Sequence, residues 1–411
     1  MDTDLDTLRF VITVDTAIVG AGPAGAAAAH RLAAAGQDVL LIDKATFPRD
    51  KFCGDGLTTL CLRELEDMGF SANGLPSFTP VSGVVLCSPS GRRHDIPLPS
   101  GPGQYAAVVR REELDAALVE FAASAGAATR LGHKITGVEP RSDSIMLTDE
   151  GGEQIVASQC IAADGMWSPV RKMLGLDIDG YRGEWHAFRQ YFEHVGPAAA
   201  RELWIWFEPD VLPGYVWSFP LGDGRANVGF GILRGGSVST QEMKSLWPDL
   251  LQRAHIREVL GHDARPESPH RAWPIPARID HAPLRGPRTL FVGDAAMACD
   301  TLTGEGIGQA LVTGREAATS ILDSPDNFDE MAEAYVSAVR ADLVADHKMA
   351  QLLGKLLARP LIAEAALTAV GANDWTRRNF GRWLFEDYPR AIIATPRRWK
   401  RGVLSSPGAQ V

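Results

Sequence analysis

Short, mostly apolar runs alternate along the chain with breaks rich in Gly, Pro and Asp, and this alternation predicts its elements. Residues 16–19 are apolar after Thr16 and too few for a helix, so they predict a buried strand. A glycine-rich break follows, then an Ala-rich stretch over 24–35 that predicts a helix closing at Gly36. Residues 38–42 predict a second apolar strand ending at Asp43. Similar runs at 160–163 and 289–292 predict further strands, the latter leading through a Gly-rich loop into a helix that reaches about 322. Residues 80–104 and 182–276 instead show short strands separated by Gly and Pro, the mark of a mostly antiparallel sheet. Beyond Asp329 the pattern turns helical, over 331–357 and again from Pro360 to 370.

This pattern divides the chain into an α/β domain from 1–79, 105–181 and 277–328, a sheet domain from 80–104 and 182–276, and a helical region over 329–411. The sheet domain is expected to form the far side of an active site, and the helices to cap a substrate tunnel.

Composition changes the picture little. A hydrophobic share of 45% and a charged share of 22% describe an ordinary globular protein, and a net charge of -10 argues against nucleic acid as the main partner. The five cysteines are scattered and include no C-x-x-C pair, so neither a disulfide framework nor a zinc site is expected. Residues 1–10 lack the features of a secretory signal, and no run approaches the roughly 18 apolar residues of a spanning helix. The expectation is a cytoplasmic protein that touches a membrane at most peripherally. One local exception supports such contact. From Trp375 to Val403 eight Lys or Arg stand against two acids, with Trp375, Trp383 and Trp399 among them. Together with Arg377, Arg378, Arg397, Arg398 and Lys400 this reads either as a surface for anionic lipid headgroups or as a solvated basic helix.

The first break carries chemistry. Gly20-Ala21-Gly22-Pro23-Ala24-Gly25, between a strand and a helix, is the dinucleotide fingerprint in its expected context. Gly20 permits the turn, Gly22 lets backbone amides approach a pyrophosphate, and Gly25 brings helix and strand together. Asp43, followed by Lys44, stands where a carboxylate accepts bonds from ribose hydroxyls. This much fits NAD as well as FAD. The second half favours FAD. Gly293-Asp294 ends a strand, where Asp294 can bond ribityl hydroxyls, and Gly304-Glu305-Gly306-Ile307 opens a helix whose free amides suit the electron-rich edge of a flavin. No second G-x-G-x-x-G marks a separate NADPH domain, so NADPH or a protein partner is expected to deliver electrons to the flavin directly.

Asp164-Gly165-Met166-Trp167-Ser168-Pro169-Val170-Arg171 resembles the D-G-x-x-S-x-x-R segment of flavoprotein hydroxylases. With the two glycine segments it implies the fold of p-hydroxybenzoate hydroxylase and glutathione reductase over nearly the whole chain. Lys51-Phe52-Cys53-Gly54-Asp55-Gly56-Leu57 resembles the K-x-C-G-D-G-L element of the geranylgeranyl reductase family, which includes menaquinone reductases. Tyr215-Val216-Trp217-Ser218-Phe219-Pro220, with Gly229-Phe230-Gly231, is similar to that family's Y-x-W-x-F-P and G-x-G signature. The resemblance implies an FAD enzyme that saturates carbon–carbon double bonds of prenyl lipids, prenyl quinones or natural-product intermediates. It also implies that Cys53, Gly54, Asp55 and Gly56 lie over the flavin ring, and that Arg111 opens a helix in contact with FAD.

The residues support that chemistry on their own terms. Tyr215, Trp217 and Phe219 alternate, so on a strand they share one face, either as an aromatic wall for a flat or polyprenyl substrate or as half of a sheet core. Cys53 reads either as a proton donor beside the alkene or as a small buried hydrophobe. A lowered thiol pKa would need cations such as Arg49 or Lys51, which are expected to face FAD phosphates or Asp50 and Asp55. Arg111 would by default be an exposed helix arginine. Thr301 stands where the family usually has proline, which places a hydroxyl beside the flavin and keeps the substrate open. The alternative on this scaffold is a monooxygenase or halogenase acting on an aromatic or polyketide natural product.

Overall fold

The computed structural model describes residues 11–99, 105–392 and 395. The first sheet runs Arg285–Gly286, Thr289–Phe291, Gln154–Ala162, Val11–Val19, Val39–Asp43, Ala128–Leu131, and the last five of these pair in parallel. At its centre residues 16–19, 39–42, 159–162 and 289–291 are buried at every position, so both faces are covered. The strand predicted at 160–163 extends back to Gln154, since its polar-alternating first half pairs with Ile145–Asp149 in an antiparallel arm.

Two helices hold the ends of this sheet together. Pro23–Ala34 and Ile307–Asp323 touch backbone to backbone, for a Cβ on Gly314 would come within 2.3 Å of Ala24 O. Only small residues permit such a crossing, and it brings the first glycine break beside the second.

The second sheet runs Arg265–Pro266, Trp185–Glu193, Ala226–Leu233, Tyr215–Pro220, Leu203–Trp206, Gly83–Cys87, Arg93–Pro97, with Arg271–Ile275 also on Trp185–Glu193. It is antiparallel except where Leu203–Trp206 meets Gly83–Cys87. The helix expected over 331–357 runs from Phe328 with a π-helical turn at Arg340–Val344, and its start is capped by Asn327 Oδ1 accepting from Glu330 N at 3.2 Å. Pro360–Val370 and Asp374–Leu384 complete the C-terminal helices. Residues 397–400 of the basic tail lie outside the described residues.

Candidate flavin and substrate site

The three glycines of the first break differ in what holds them. Gly20 has φ 106°, and a Cβ there would lie 2.2 Å from Ala163 O; one on Gly25 would lie 1.9 Å from Gly20 O. Both positions are closed by protein. Gly22, with φ -74°, is closed by nothing: an added Cβ would meet only the tip of Arg49, at 3.9 Å. It would project into the cavity described below, in the cradle where a pyrophosphate fits at a helix N-terminus. Asp43 stiffens this loop by accepting from Ala21 N and Ala45 N, each at 2.8 Å.

The crossover segment is tied to the far glycine turn. Asp164 Oδ2 accepts from Val170 N at 2.9 Å, while its Oδ1 is buried with no partner. Arg171 is fully buried and donates to Met166 O at 3.1 Å and to Ala295 O at 2.8 Å, linking it to the turn Gly293–Ala296. Burial pushes the Asp164 carboxyl up to about 6.

A cavity of 930 Å³ runs along these segments. The candidate residues border it except Gly25 and Thr301; among those that do are Lys44, Gly165, Gly304 and the trio Tyr215, Trp217 and Phe219. Lys51 faces it as well, half-buried over the Trp273 ring at 4.6 Å, with desolvation lowering its pKa. A cradle that any side chain would fill, an unpartnered carboxylate oxygen and a half-buried cation together fit a bound dinucleotide. In that fit the Gly20–Gly25 loop and Arg49 would face the pyrophosphate, Asp43 the adenosine ribose, and Asp294 the ribityl chain.

The Cys53 loop and the aromatic strand form one hydrogen-bonded unit. Asn227 accepts from the Trp217 indole at 3.1 Å and donates to Cys53 O at 2.9 Å and to Asp55 Oδ2 at 2.8 Å. Tyr191 donates to the same Asp55 oxygen at 2.7 Å. Asp55 is wholly buried, and desolvation raises its carboxyl to about 6 although Arg189 and both donors favour its charge. The glycines of these motifs clear space for rings. A Cβ on Gly54 or Gly56 would touch Phe219 at 3.4 Å, and one on Gly229 would lie 2.3 Å from Trp217. Tyr215, Trp217 and Phe219 stand in one row with ring centroids 6.0 and 6.1 Å apart, and the Tyr215 hydroxyl donates to Thr303 O. The row is a cavity wall.

Several expectations change. The Cys53 thiol, which borders the cavity, is pushed up to about 11 by desolvation, and the cation beside it is Arg111 rather than Arg49 or Lys51. Arg49 pairs with Asp115 at 3.0 Å, whereas Asp50 pairs with Arg189 at 2.7 Å and Arg271 at 3.0 Å, so neither Arg49 nor Lys51 serves Asp50 or Asp55. Arg111 is buried, not exposed, and is held by Asp115 at 2.7 and 2.8 Å. Glu305 fills part of the helix N-terminus expected to present free amides, accepting from Gly308 N at 2.8 Å; burial raises its carboxyl to about 7. Thr301 is turned from the cavity, its hydroxyl accepting from the Trp185 indole at 3.3 Å. Trp383, read as part of either a lipid-facing surface or a solvated basic helix, borders the cavity.

Sequence reading missed Asn227, Tyr191 and Arg189. The available signal was a polar residue inside a run whose neighbours are all buried, as in Ala226–Leu233 and Trp185–Glu193.

Fold and site together define an FAD-binding flavoprotein oxidoreductase. The family model for the FAD binding domain matches residues 13–319. Menaquinone reductase of Mycobacterium tuberculosis is 36% identical over 332 residues, covering 76% of this chain and 78% of that one. Digeranylgeranylglycerophospholipid reductase of Methanosarcina mazei is 30% identical over 362 residues, covering 85% and 84%. Among solved structures, a geranylgeranyl bacteriochlorophyll reductase-like protein from Thermoplasma acidophilum superposes with TM-score 0.79 over 95% of this chain and all of that one, at 23% identity. The p-nitrophenol 4-monooxygenase of Pseudomonas putida, with TM-score 0.73 at 15% identity over 90% and 97%, shares the fold. The chain belongs to the FAD-binding family of oxidoreductases, in the geranylgeranyl reductase branch with these prenyl reductases.

Proposed function

We propose that the protein saturates a carbon–carbon double bond in a prenyl quinone or prenyl lipid. The observation that carries this reading is the apolar lining of the cavity. Beside the Cys53–Gly56 loop it is bordered by Trp217 and Phe219, by Leu203, Ile205 and Phe207, and by Leu357, Leu367 and Phe380 of the C-terminal helices. Such a lining takes a chain of isoprene units and offers little to a compact polar substrate. The substrates named for the relatives above support the same class.

When bound and reduced, FAD supplies a hydride. The protein's own task is to hold the alkene against the Cys53 loop, exclude water and deliver a proton to the second carbon. The Cys53 thiol keeps its proton through the neutral range, so it can donate it. The thiolate left behind faces the Arg111 guanidinium, which favours that charge until water returns the proton. Hydride and proton together add two hydrogens to the alkene, and no oxygen enters.

Asp43 suits an unphosphorylated ribose and concerns only the resident dinucleotide, so NADPH or a protein donor would reach the flavin from outside. Five free thiols suit a reducing, cytoplasmic compartment, and the substrate class would bring the protein to the inner face of the membrane. Among the described residues no helix is long and apolar enough to cross a membrane. The test is a mass-spectrometric comparison of quinones and prenyl lipids in cells with and without the protein. A species two hydrogens heavier that vanishes with the protein supports the reading, and identical profiles refute it.

A further inference from the structure

We infer that the turn joining Ala345–Leu357 to Pro360–Val370 inserts its leucines into the surface of an anionic lipid bilayer, so that the cavity is fed from the lipid side. The inference rests on the proposed substrate class for its purpose and on its own observations for its place.

These two helices are apolar on two faces. Inward, Leu353, Leu357, Ala363 and Leu367 border the cavity. Outward, Leu352, Leu356 and Leu361 are 54%, 41% and 85% exposed. Six large hydrophobic residues are exposed among those described, and three of them fall within this one turn, which scattered surface leucines do not explain. Leu352 and Leu356 are one helical turn apart, and Leu361 follows Arg359-Pro360 at the start of the next helix.

The charges around the leucines select the occupant. Residues 347–363 contain Lys348, Lys355 and Arg359 and no acid, in a chain of net charge -10. No ion pair among the described residues engages these three cations, whereas Arg377, Arg382 and Arg390 of the basic tail are paired with Asp374, Asp387 and Asp300. The flanking acids are turned elsewhere. Asp346 accepts from Ala391 N at 2.8 Å, and Glu364 holds Ser90 at 2.9 and 3.1 Å. An exposed apolar knob ringed by free cations complements anionic headgroups over an acyl region. A second copy would bring the same cations against these.

The test is co-sedimentation of the full-length, FAD-loaded protein with vesicles of phosphatidylcholine alone or mixed with phosphatidylglycerol. Binding is expected only to the mixed vesicles and weakened by salt. The double variant Leu356→Glu with Leu361→Glu should lower it at least about tenfold, and Lys355→Glu with Arg359→Glu roughly fivefold or more per site. All four side chains are exposed, so the flavin spectrum and Tm should not change. Undiminished binding by both variants, equal binding to neutral vesicles, or leucine-dependent dimers that bind no vesicle would each overturn the inference. No turnover is measured, so failure here leaves the proposed reaction standing, and a different substrate leaves vesicle binding standing.

Discussion

Asn227 lies 2.8 Å from Asp55 Oδ2, and that bond ties the aromatic wall to the Cys53–Gly56 loop. Its amide oxygen also accepts from the Trp217 indole N–H and its amide nitrogen donates to Cys53 O, so one buried side chain satisfies three groups from two segments. Asn227→Ala leaves the indole N–H and a lone pair of Asp55 unpaired in the interior, at a cost of about 1–3 kcal/mol for each orphaned group. Thermal unfolding should show that loss. Turnover should fall more than FAD affinity, because the dinucleotide cradle is elsewhere; the reverse order would separate the wall from the chemistry.

Gly22 and Gly25 make a paired test of the cradle. Gly22→Ala adds its methyl to cavity space, so the apo-protein should keep its Tm while FAD affinity drops by about tenfold or more. Gly25→Ala places a methyl 1.9 Å from Gly20 O, so it should destabilise the apo-protein itself. Equal Tm losses for both would mean that Gly22 is held by packing.

Cys53→Ala should leave flavin binding and flavin reduction intact and slow the reoxidation step by about 100-fold, the low end for loss of a general acid. The readout is stopped-flow flavin absorbance in the two half-reactions. Unchanged reoxidation would return Cys53 to a packing role.

The Glu305 carboxyl is raised to about 7 from an ordinary 4.5 by burial. The folded chain therefore binds that proton more tightly than the unfolded chain does. The stability it contributes is complete below 4.5 and is lost as pH rises through about 7. Apo-protein Tm should fall over that window, and Glu305→Gln should make the fall shallower. Asp55 and Asp164, each raised to about 6, will leave part of the slope in the variant. An identical slope would show Glu305 to be charged in the fold.

The dinucleotide half of the molecule was legible because its determinants are local. The apolar strand at 16–19, Gly20 to Gly25 and Asp43 lie within one strand–helix–strand unit, and the glycine positions follow from backbone clearance alone. What sequence could not show depends on tertiary partners. Arg111 reads as an exposed helix start until Asp115 and the Cys53 loop enclose it, and Cys53 looks acidifiable until burial outweighs its cation. Asn227 becomes visible only when Ala226–Leu233 pairs beside Tyr215–Pro220 and places its amide against Trp217. Thr301 seemed aimed at the flavin because the proline it replaces would be; the Trp185 indole turns it away.

The central claim, that the site adds two hydrogens to a prenyl double bond, is tested most directly by one anaerobic turnover. FAD-loaded protein is reduced chemically, freed of reductant and mixed with a prenyl quinone such as menaquinone, and the product is weighed by mass spectrometry. The account predicts flavin reoxidation without oxygen and a product that stays heavier by two hydrogens after its quinone ring is re-oxidised in air, with the gain located in the prenyl side chain. Reoxidation only when oxygen is admitted, with a product heavier by one oxygen atom, would contradict it.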